Sequence, residues 1–273
     1  MVVVSSYLGQ LGRLVKVKCP SNQSTERSER YTFSRTLEGR VKAQLSPLSR
    51  RSWTVDVSTA TPSDMGALMA FVLGEWGDGP FVWVAEGAAV TNMLTPEVGA
   101  CGPAAVVSST VSMAGPLQLP DGSWAGRSLS NPAPSPTLRF GPDTTPVIPG
   151  GKVTASAFVV GAGSKVGVQF RNASGAVLSQ FTSAQTGVAG GTTRLAVTAT
   201  APATAASCTV YATGTTLAAR PALTWTEQVM EWGEGQGCTK AVITAPSQRL
   251  VLALADPLYG RYSDVSFTIQ EVG

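Results

Sequence analysis

The chain has 273 residues, with 20 Lys and Arg, 17 Asp and Glu, and no histidine. Without histidine it cannot build a Ser-His-Asp or Cys-His nucleophilic site, nor the usual catalytic zinc site with histidine ligands, so we expect a protein that is not an enzyme. Charged residues make up 14% of the chain and apolar residues 43%, alongside 29 Gly and 18 Pro. This composition excludes a charge-driven disordered chain or a coiled coil and favours a β-rich globular protein with many turns.

The net charge of +3 conceals an uneven distribution along the chain. Residues 1–51 contain ten Lys and Arg against three Glu, a net charge of +7, so the remaining residues carry −4. A basic segment is typical of a nucleic-acid-binding surface, of a surface that meets an acidic partner, or of a solvated face. The basic residues are scattered rather than clustered, which favours an acidic protein partner or a neighbouring subunit over nucleic acid.

The N-terminal segment MVVVSSYLGQLGRLVKVKC (1–19) does not have the pattern of a signal peptide, because its apolar start is short and no charged residue precedes it. No stretch of the sequence approaches the roughly 20 apolar residues of a membrane span. The four cysteines show no C-x-x-C spacing, so we expect buried thiols in a reducing cytosol rather than a metal site. Cys208 and Cys238 are a candidate disulfide if the protein matures outside the cell.

Strands and one helix are predicted for residues 1–91. Apolar and basic residues alternate at 15–18, which indicates a half-buried strand, and the polar stretch 21–30 predicts a hairpin loop. Alternation over 53–57 and the apolar run 81–84 indicate two further strands. Strands flanked by one helix are typical of a small α+β domain.

The sequence TPSDMGALMAFVLG (61–74) predicts the helix and both of its ends. Thr61 is a favourable N-cap, Pro62 suits the first helical position, and Asp64 completes a capping box. Gly74 marks the C-terminal end. The i, i+3, i+4, i+7 spacing predicts one buried face, made of Met65, Leu68, Met69 and Val72.

From residue 92 onward, strand candidates recur between turns and no helical pattern is present. Asn172–Gly175 predicts a hairpin turn, and the Pro-rich segment 130–150 predicts a long connection at the rim. The apolar run 248–254 predicts a strand covered on both faces. About eight short strands are typical of a β-sandwich of jelly-roll type. The candidates are residues 166–170, 176–178, 194–200, 208–211, 221–225, 248–254 and 265–270.

The sequence therefore predicts a mainly β chain of two domains, a small α+β domain of strands plus one helix at residues 1–91 and a β-sandwich jelly roll at residues 92–273. The pentapeptides EWGDG (75–79) and EWGEG (231–235) occur once in each half. We interpret each as a turn that tucks an indole over the end of a sheet.

Both segments resemble known families. Residues 92–273 resemble carbohydrate-binding-module-like jelly rolls, through NMLTPEVGACGP (92–103), DGSWAGRSL (121–129), residues 146–180 and 193–214, and YSDVSFTIQEVG (262–273). Residues 49–84 resemble the short N-terminal domain of tailed-bacteriophage minor tail or distal tail proteins. The resemblance implies an assembly domain that works in rings or at the tail end, joined to a sugar-binding-like jelly roll.

Four aromatic residues are candidates for carbohydrate binding, because the C–H-rich faces of sugars stack on exposed aromatic rings. The candidates are Trp124, Trp232, Tyr259 and Trp225. Trp124 and Trp232 lie in Gly-rich turns and are expected to be exposed, whereas Trp225 is expected to be buried. For each ring the alternative is a place in the core or at the edge of the sandwich.

Arg50, Arg51 and Trp53 are candidate assembly contacts, since Arg and Trp are enriched in protein interfaces. The alternative is a solvated strand end. The carboxylates that could act as a general acid and base in glycoside hydrolysis lie in turn-like settings, which do not favour a hydrolase. They are Asp121, Asp143, Glu227, Glu231, Glu234 and Asp256. No catalytic residue, metal ligand or cofactor is predicted, and a structural Ca²⁺ has no D-x-D-x-D-G loop to support it.

We therefore expect a structural component of a bacteriophage tail, a distal tail or minor tail protein that is made in the host cytoplasm and located in the virion. Its expected partners are other tail proteins, copies of itself and host-surface polysaccharide, without insertion into a membrane. Two alternatives stay open. One is a secreted carbohydrate-binding or glycan-active protein of non-viral origin, and the other is a jelly roll that serves only as a spacer.

Overall fold

The computed structural model describes residues 5–17, 21–27, 31–45, 50–132, 137–253 and 261–272. In chain order the strands of these ranges are β1 (Ser6–Gln10), β2 (Arg13–Val17), β3 (Asn22–Arg27), β4 (Tyr31–Arg35), β5 (Val41–Leu45), β6 (Arg51–Ala60), β7 (Phe81–Val84), β8 (Ser112–Ala114), β9 (Leu117–Gln118), β10 (Trp124–Ala125), β11 (Ser128–Ser130), β12 (Leu138–Pro146), β13 (Lys152–Val160), β14 (Lys165–Arg171), β15 (Val177–Thr182), β16 (Thr192–Thr200), β17 (Ser207–Thr213), β18 (Leu217–Thr224), β19 (Cys238–Ala253) and β20 (Arg261–Glu271). The helices are α1 (Pro62–Val72), α2 (Ala88–Thr91) and α3 (Pro96–Gly99), followed by a 3-10 turn at Pro103–Ala105. No helix in the described ranges is long and apolar enough to cross a membrane.

The chain divides into two compact units, each of which uses separate segments of the sequence. Unit 1 consists of Met1–Lys16 and Val82–Thr239, and unit 2 consists of Val17–Phe81 and Lys240–Gly273. This division differs from the boundary after residue 91 that the sequence predicts. The C-terminal strand β20, which resembles part of the jelly roll in sequence, belongs to unit 2 because it pairs with β6.

Unit 1 contains a β-sandwich. One sheet has the strand order β16-β13-β18-β11-β8, and the other has the order β12-β17-β14-β15. Side chains alternate between the faces of a strand, and the inward set is buried, as Val153, Ala155 and Val159 of β13 and Val168 and Phe170 of β14 show. The predicted mainly β fold with a sandwich of jelly-roll type is confirmed.

One turn in unit 1 follows from its sequence, whereas one pairing of distant strands was not predicted. The turn between β14 and β15 forms where it is predicted, because the side-chain oxygen of Asn172 accepts hydrogen bonds from the backbone N–H groups of Ser174 and Ala176. Strand β1 pairs antiparallel with β7, with Tyr7 opposite Val84.

The Pro-rich segment contains a strand, which the sequence did not predict. Of residues 130–150, those from Leu138 to Pro146 form β12, which pairs with β17. Proline is tolerated here because β12 is an edge strand and because its register shifts between Phe140 and Thr145. Short helical turns at α3 and Pro103–Ala105 also occur after residue 92, where no helical pattern is visible, and α2 is a second helix in residues 1–91, where the sequence predicts one.

The sheet of unit 2 is built around β6. Its strands follow the order β19-β20-β6-β3, and Val55 and Val57 of β6 are buried together with Phe267 of β20. The predicted hairpin loop at 21–30 is wrong in part, since Asn22–Arg27 is β3. Its side chains are mostly exposed, so the strand has no apolar alternation by which the sequence would reveal it.

Helix α1 begins as predicted. The Thr61 hydroxyl accepts a hydrogen bond from the backbone N–H of Asp64, and the Asp64 carboxylate accepts one from the backbone N–H of Thr61, which completes the capping box. The predicted buried face is wrong in part, because Val72 is exposed and the fully buried side chain is Phe71. Phe71 stacks on Trp76, with ring centroids 5.0 Å apart, and meets Phe81 edge to face at 5.1 Å.

The prediction of buried thiols is confirmed for the three cysteines that the structure describes. Cys101, Cys208 and Cys238 are buried, and Cys19 lies outside the described residues. Burial raises the pKa of the Cys101 thiol to about 12, against a smaller opposite effect of a backbone hydrogen bond from Arg220. This thiol is therefore protonated at neutral pH.

Two of the three candidate assembly residues lie inside unit 2. The Trp53 side chain is buried, and the Arg51 guanidinium lies 4.9 Å from the centre of its ring. Arg51 also forms a bidentate ion pair with Glu271. Its Nε donates a hydrogen bond to Oε2 over 3.0 Å, and its Nη2 donates one to Oε1 over 2.8 Å. These residues join β6 to β20, so only Arg50 of the three is exposed to a partner.

The apolar run near residue 250 is exposed rather than covered on both faces as predicted. Leu250, Val251 and Leu252 of β19 are each about half exposed. The pairing of β19 with β20 shifts register between Leu250 and Leu252, so the regular alternation of side chains between the two faces is interrupted at this run.

The Arg51–Glu271 pair is expected to contribute strongly to the stability of unit 2. Glu271→Ala leaves the buried Arg51 charge without its carboxylate, so we expect a loss of about 3 kcal/mol in the free energy of unfolding measured by urea denaturation. Glu38→Ala is the matched control, because its ion pair with Arg40 is 3.8 Å long and well exposed, and its loss is expected to stay under about 1 kcal/mol. Equal effects of the two substitutions contradict the prediction.

Candidate functional site

The short hairpin β9–β10 in unit 1 presents Trp124. Asp121 shapes its tip, because the carboxylate accepts hydrogen bonds from the backbone N–H of Ser123 over 3.0 Å and from the Ser123 hydroxyl over 2.8 Å. These bonds, the hydroxyl first, lower the pKa of Asp121, and the positive charge of Arg220 lowers it further. The exposed carboxylate is therefore ionised at neutral pH.

One side of this hairpin is anchored in an apolar cluster. Leu117, Leu119 and Ala125 pack with Ala219 of β18, and further apolar side chains of the same sheet adjoin them. Since side chains alternate along a strand, Trp124 points away from the cluster next to Ala125. Its side chain is 57% exposed, so an aromatic face is held open to solvent on a fixed backbone.

Arg220 connects Trp124 to Trp232. Its guanidinium donates a hydrogen bond to the backbone oxygen of Trp124 over 2.8 Å. The same group lies over the Trp232 ring, 4.8 Å from its centre, at a distance typical of a cation–π contact. Arg220 thus contacts two of the candidate tryptophans, and its positive charge also acts on the Asp121 carboxylate.

The backbone of Arg220 is in an uncommon conformation. Its φ is +46°, and the pairing of β18 with β13 shifts register between Ser156 and Phe158. An extra residue at such a bulge turns its side chain away from the regular alternation. Sequence analysis missed Arg220, and the only signal for it is Pro221, which interrupts the strand at this point.

The segment that carries Trp232 is fixed by a buried asparagine. Asn92 donates from Nδ2 to the backbone oxygens of Pro221 and Gly233, and its Oδ1 accepts from the N–H groups of Leu94 and Leu223. The residues of EWGEG lie so close to residues 91–95 that a Cβ at Gly233 or Gly235 would collide with that segment. The pentapeptide therefore places its indole by backbone packing. The expectation that Trp232 is exposed is wrong in part, because its side chain is half-buried and its Nε1 is buried without a hydrogen-bond partner among the described residues.

A second arginine lies on the outer face of the same sheet. The Arg194 guanidinium is 5.7 Å from the centre of the Phe158 ring and donates hydrogen bonds to the Ser156 hydroxyl and to the backbone oxygen of Met230. Burial lowers the pKa of Arg194, and the negative charge of Glu231 opposes this shift. Arg194 thus holds the start of the loop that leads to Trp232.

The other candidate residues lie elsewhere. Trp225 is half-buried rather than buried, and its Nε1 donates to the backbone oxygen of Pro146 over 3.3 Å. Tyr259 and Asp256 lie outside the described residues. Among the described residues there is no group of three or more His, Cys, Asp or Glu side chains that could hold a metal ion.

No family model and no curated protein matches the chain. Partial likenesses exist to solved structures. One is the endo-1,4-beta-D-xylanase 10B of Clostridium thermocellum, CBM22-1–GH10 modules with xylohexaose (17% identity, TM-score 0.34, 46% of this chain). Another is the enzymatically active domain of bacteriophage CBA120 tailspike protein 4 (12% identity, TM-score 0.32, 43% of this chain and 18% of that one). A third is the carbohydrate-binding module CBM6cm-2 of Cellvibrio mixtus lichenase 5A with cellotriose (19% identity, TM-score 0.27, 42% of this chain and 91% of that one). The chain spans 27% of the length of the xylanase structure.

Asn92 is expected to control the position of Trp232. Asn92→Ala leaves four buried backbone groups without their partner, so we expect a loss of about 3 kcal/mol in the free energy of unfolding and a red shift of the tryptophan emission. Asn172→Ala is the control, since Asn172 holds only the exposed turn between β14 and β15. An Asn92→Ala protein as stable as the Asn172→Ala protein contradicts this role.

Proposed function

We propose that this chain is a carbohydrate-binding structural protein of a virion tail, in which the β-sandwich of unit 1 binds glycans at Trp124. The observation that carries the proposal is the exposed Trp124 ring, whose hairpin is anchored by the apolar cluster and whose backbone oxygen accepts a hydrogen bond from Arg220. A ring on a fixed backbone costs less conformational entropy to order when a sugar stacks on it than a ring on a mobile loop.

The groups around Trp124 supply the polar half of such a site. A pyranose presents a C–H face to an aromatic ring and hydroxyl groups at its edges. Asp121 offers an ionised acceptor for these hydroxyls, and Arg220 has N–H donors beyond the one that its hydrogen bond to Trp124 uses. Acceptor, donor and ring therefore lie on one surface, as carbohydrate recognition requires.

The assembly role has a separate basis in unit 2. On one face of its hairpin β4–β5, Phe33 and Val41 are 66% and 59% exposed, with Arg35 opposite Val41 on the same face. The exposed run Leu250–Leu252 of β19 is a second apolar patch of the same unit. Two unlike apolar patches on one chain favour a heterologous contact between neighbouring copies, which closes into a ring when the rotation allows it.

Glycan binding is tested on a glycan array with the full chain. Trp124→Ala is expected to weaken the binding of the recognised glycan by about 30-fold or more, because the stacking face is lost, while Trp124→Phe retains part of it. Val188→Ala serves as the control, since Val188 is a similarly exposed apolar residue of unit 1 outside the site. Binding that persists unchanged in Trp124→Ala places the glycan elsewhere.

Assembly is tested by size-exclusion chromatography with light scattering at micromolar protein concentration. We expect an oligomer of the unchanged chain, and we expect either Phe33→Ser with Val41→Ser or Leu250→Ser with Leu252→Ser to dissociate it. Val188→Ser in unit 1 is the control. If the unchanged chain is monomeric, the proposed ring is contradicted.

The tail location is tested by electron microscopy of virions that carry a label on this chain. A label on the head contradicts it.

A further inference from the structure

A second aromatic pocket exists in unit 1, apart from Trp124. It has a volume of about 170 Å³, and its wall includes Tyr7 of β1, Trp225 after β18, and Lys152 at the start of β13. This volume leaves room for a small ring-sized ligand. None of the groups around Trp124 lines it.

Tyr7 and Trp225 form a fixed corner in this pocket. Their ring centres are 5.6 Å apart and the rings meet at 71°, an edge-to-face arrangement. The Trp225 indole donates to the oxygen of Pro146, and its backbone N–H donates to the oxygen of Ala89 over 2.7 Å. The indole is therefore held by hydrogen bonds at its ring and at its backbone.

Lys152 adds the positive charge to a wall that is mostly apolar and aromatic. Its side chain is exposed, and no carboxylate among the described residues forms an ion pair with it. Ile148 lies on the same wall. Ser5, which also lines the pocket, has a buried hydroxyl with no hydrogen-bond partner among the described residues. Buried polar groups of this kind are uncommon in folded proteins and call for an explanation.

We infer that this pocket binds an acidic monosaccharide unit, a pyranose ring that carries a carboxylate. The apolar face of the ring stacks in the Tyr7–Trp225 corner, and its carboxylate pairs with Lys152. A neutral sugar uses the corner and leaves the lysine without a partner, whereas a small anion uses the lysine and leaves the corner empty. Only a ligand with both features matches both parts of the pocket.

The inference does not rest on the proposed Trp124 site. Trp225 and Trp124 have different hydrogen-bond partners. The Trp225 indole donates to the backbone oxygen of Pro146, whereas the backbone oxygen of Trp124 accepts from Arg220. Trp124→Ala is therefore expected to leave binding at the pocket unchanged, and failure at one site does not decide the other.

The probe is sodium D-glucuronate, titrated against the full chain and followed by ligand-observed NMR. We expect millimolar binding that weakens with added salt, with methyl glucoside and acetate each binding about tenfold more weakly. Lys152→Gln is expected to weaken glucuronate binding about tenfold, because a charge-assisted hydrogen bond is lost, and to leave methyl glucoside binding unchanged. The matched control is Lys165→Gln, at the start of β14 and outside the pocket.

Tyr7→Leu and Trp225→Phe probe the aromatic corner separately, so that one of them remains informative if the other fails to fold. Each is expected to weaken glucuronate and methyl glucoside alike. The inference is overturned by any of three results: no glucuronate binding, equal affinity for acetate or methyl glucoside, or glucuronate binding that Lys152→Gln leaves intact.

Discussion

Unit 2 depends on the pairing of β6 with β20. Residues 52–60 lie in register with residues 263–270, although the Arg51–Glu271 contact at the end of this pairing spans 220 positions of sequence. A chain that closes such a long loop loses conformational entropy, which the buried side chains of both strands must offset. Trp53, Val55, Phe267 and Ile269 are the buried residues that do so. Along the sequence, residues 82–239 lie between the two segments of unit 2, 17–81 and 240–273, and they fold into unit 1.

This topology changes the meaning of the charge distribution. Residues 1–51 are basic as a stretch of sequence, but they are shared between the units, and unit 2 also contains residues 52–81, which carry four Asp and Glu and no Lys or Arg. Unit 1 contains nine Lys and Arg and seven Asp and Glu, and unit 2 contains eleven and ten. Neither unit has a strong net charge, so attraction between a basic and an acidic domain does not explain assembly. The exposed apolar residues of unit 2 are the better basis for contacts between copies.

The sequence predicts those features that local chemistry determines. The capping box of Thr61 and Asp64, the turn at Asn172, and the buried alternation at 265–269 each depend on neighbouring residues alone. Strands β3 and β12 escape prediction because edge strands need no apolar alternation and tolerate proline. At the candidate site the exposure of Trp124 is predictable from its turn. Arg220 is not, since its contact with Trp232 joins residues that only the folded sandwich brings together.

The two aromatic sites of unit 1 hold their rings in different ways, and this difference bears on how a polysaccharide would be bound. Trp124 is fixed through its backbone and offers a free ring face, which suits a position along an extended glycan. Trp225 is fixed through its ring nitrogen in a pocket with room for one small ring, which suits a single unit or a branch. Single sugars bind such sites weakly, because few contacts must outweigh the entropy of association. When several copies display both sites, each further binding event becomes intramolecular, and the effective concentration of sites raises the affinity for a repeating polymer without any new contact. Under the proposed assembly, affinity for a polysaccharide would depend on the exposed apolar patches of unit 2 as much as on the tryptophans, since those patches would set the number of copies that act together.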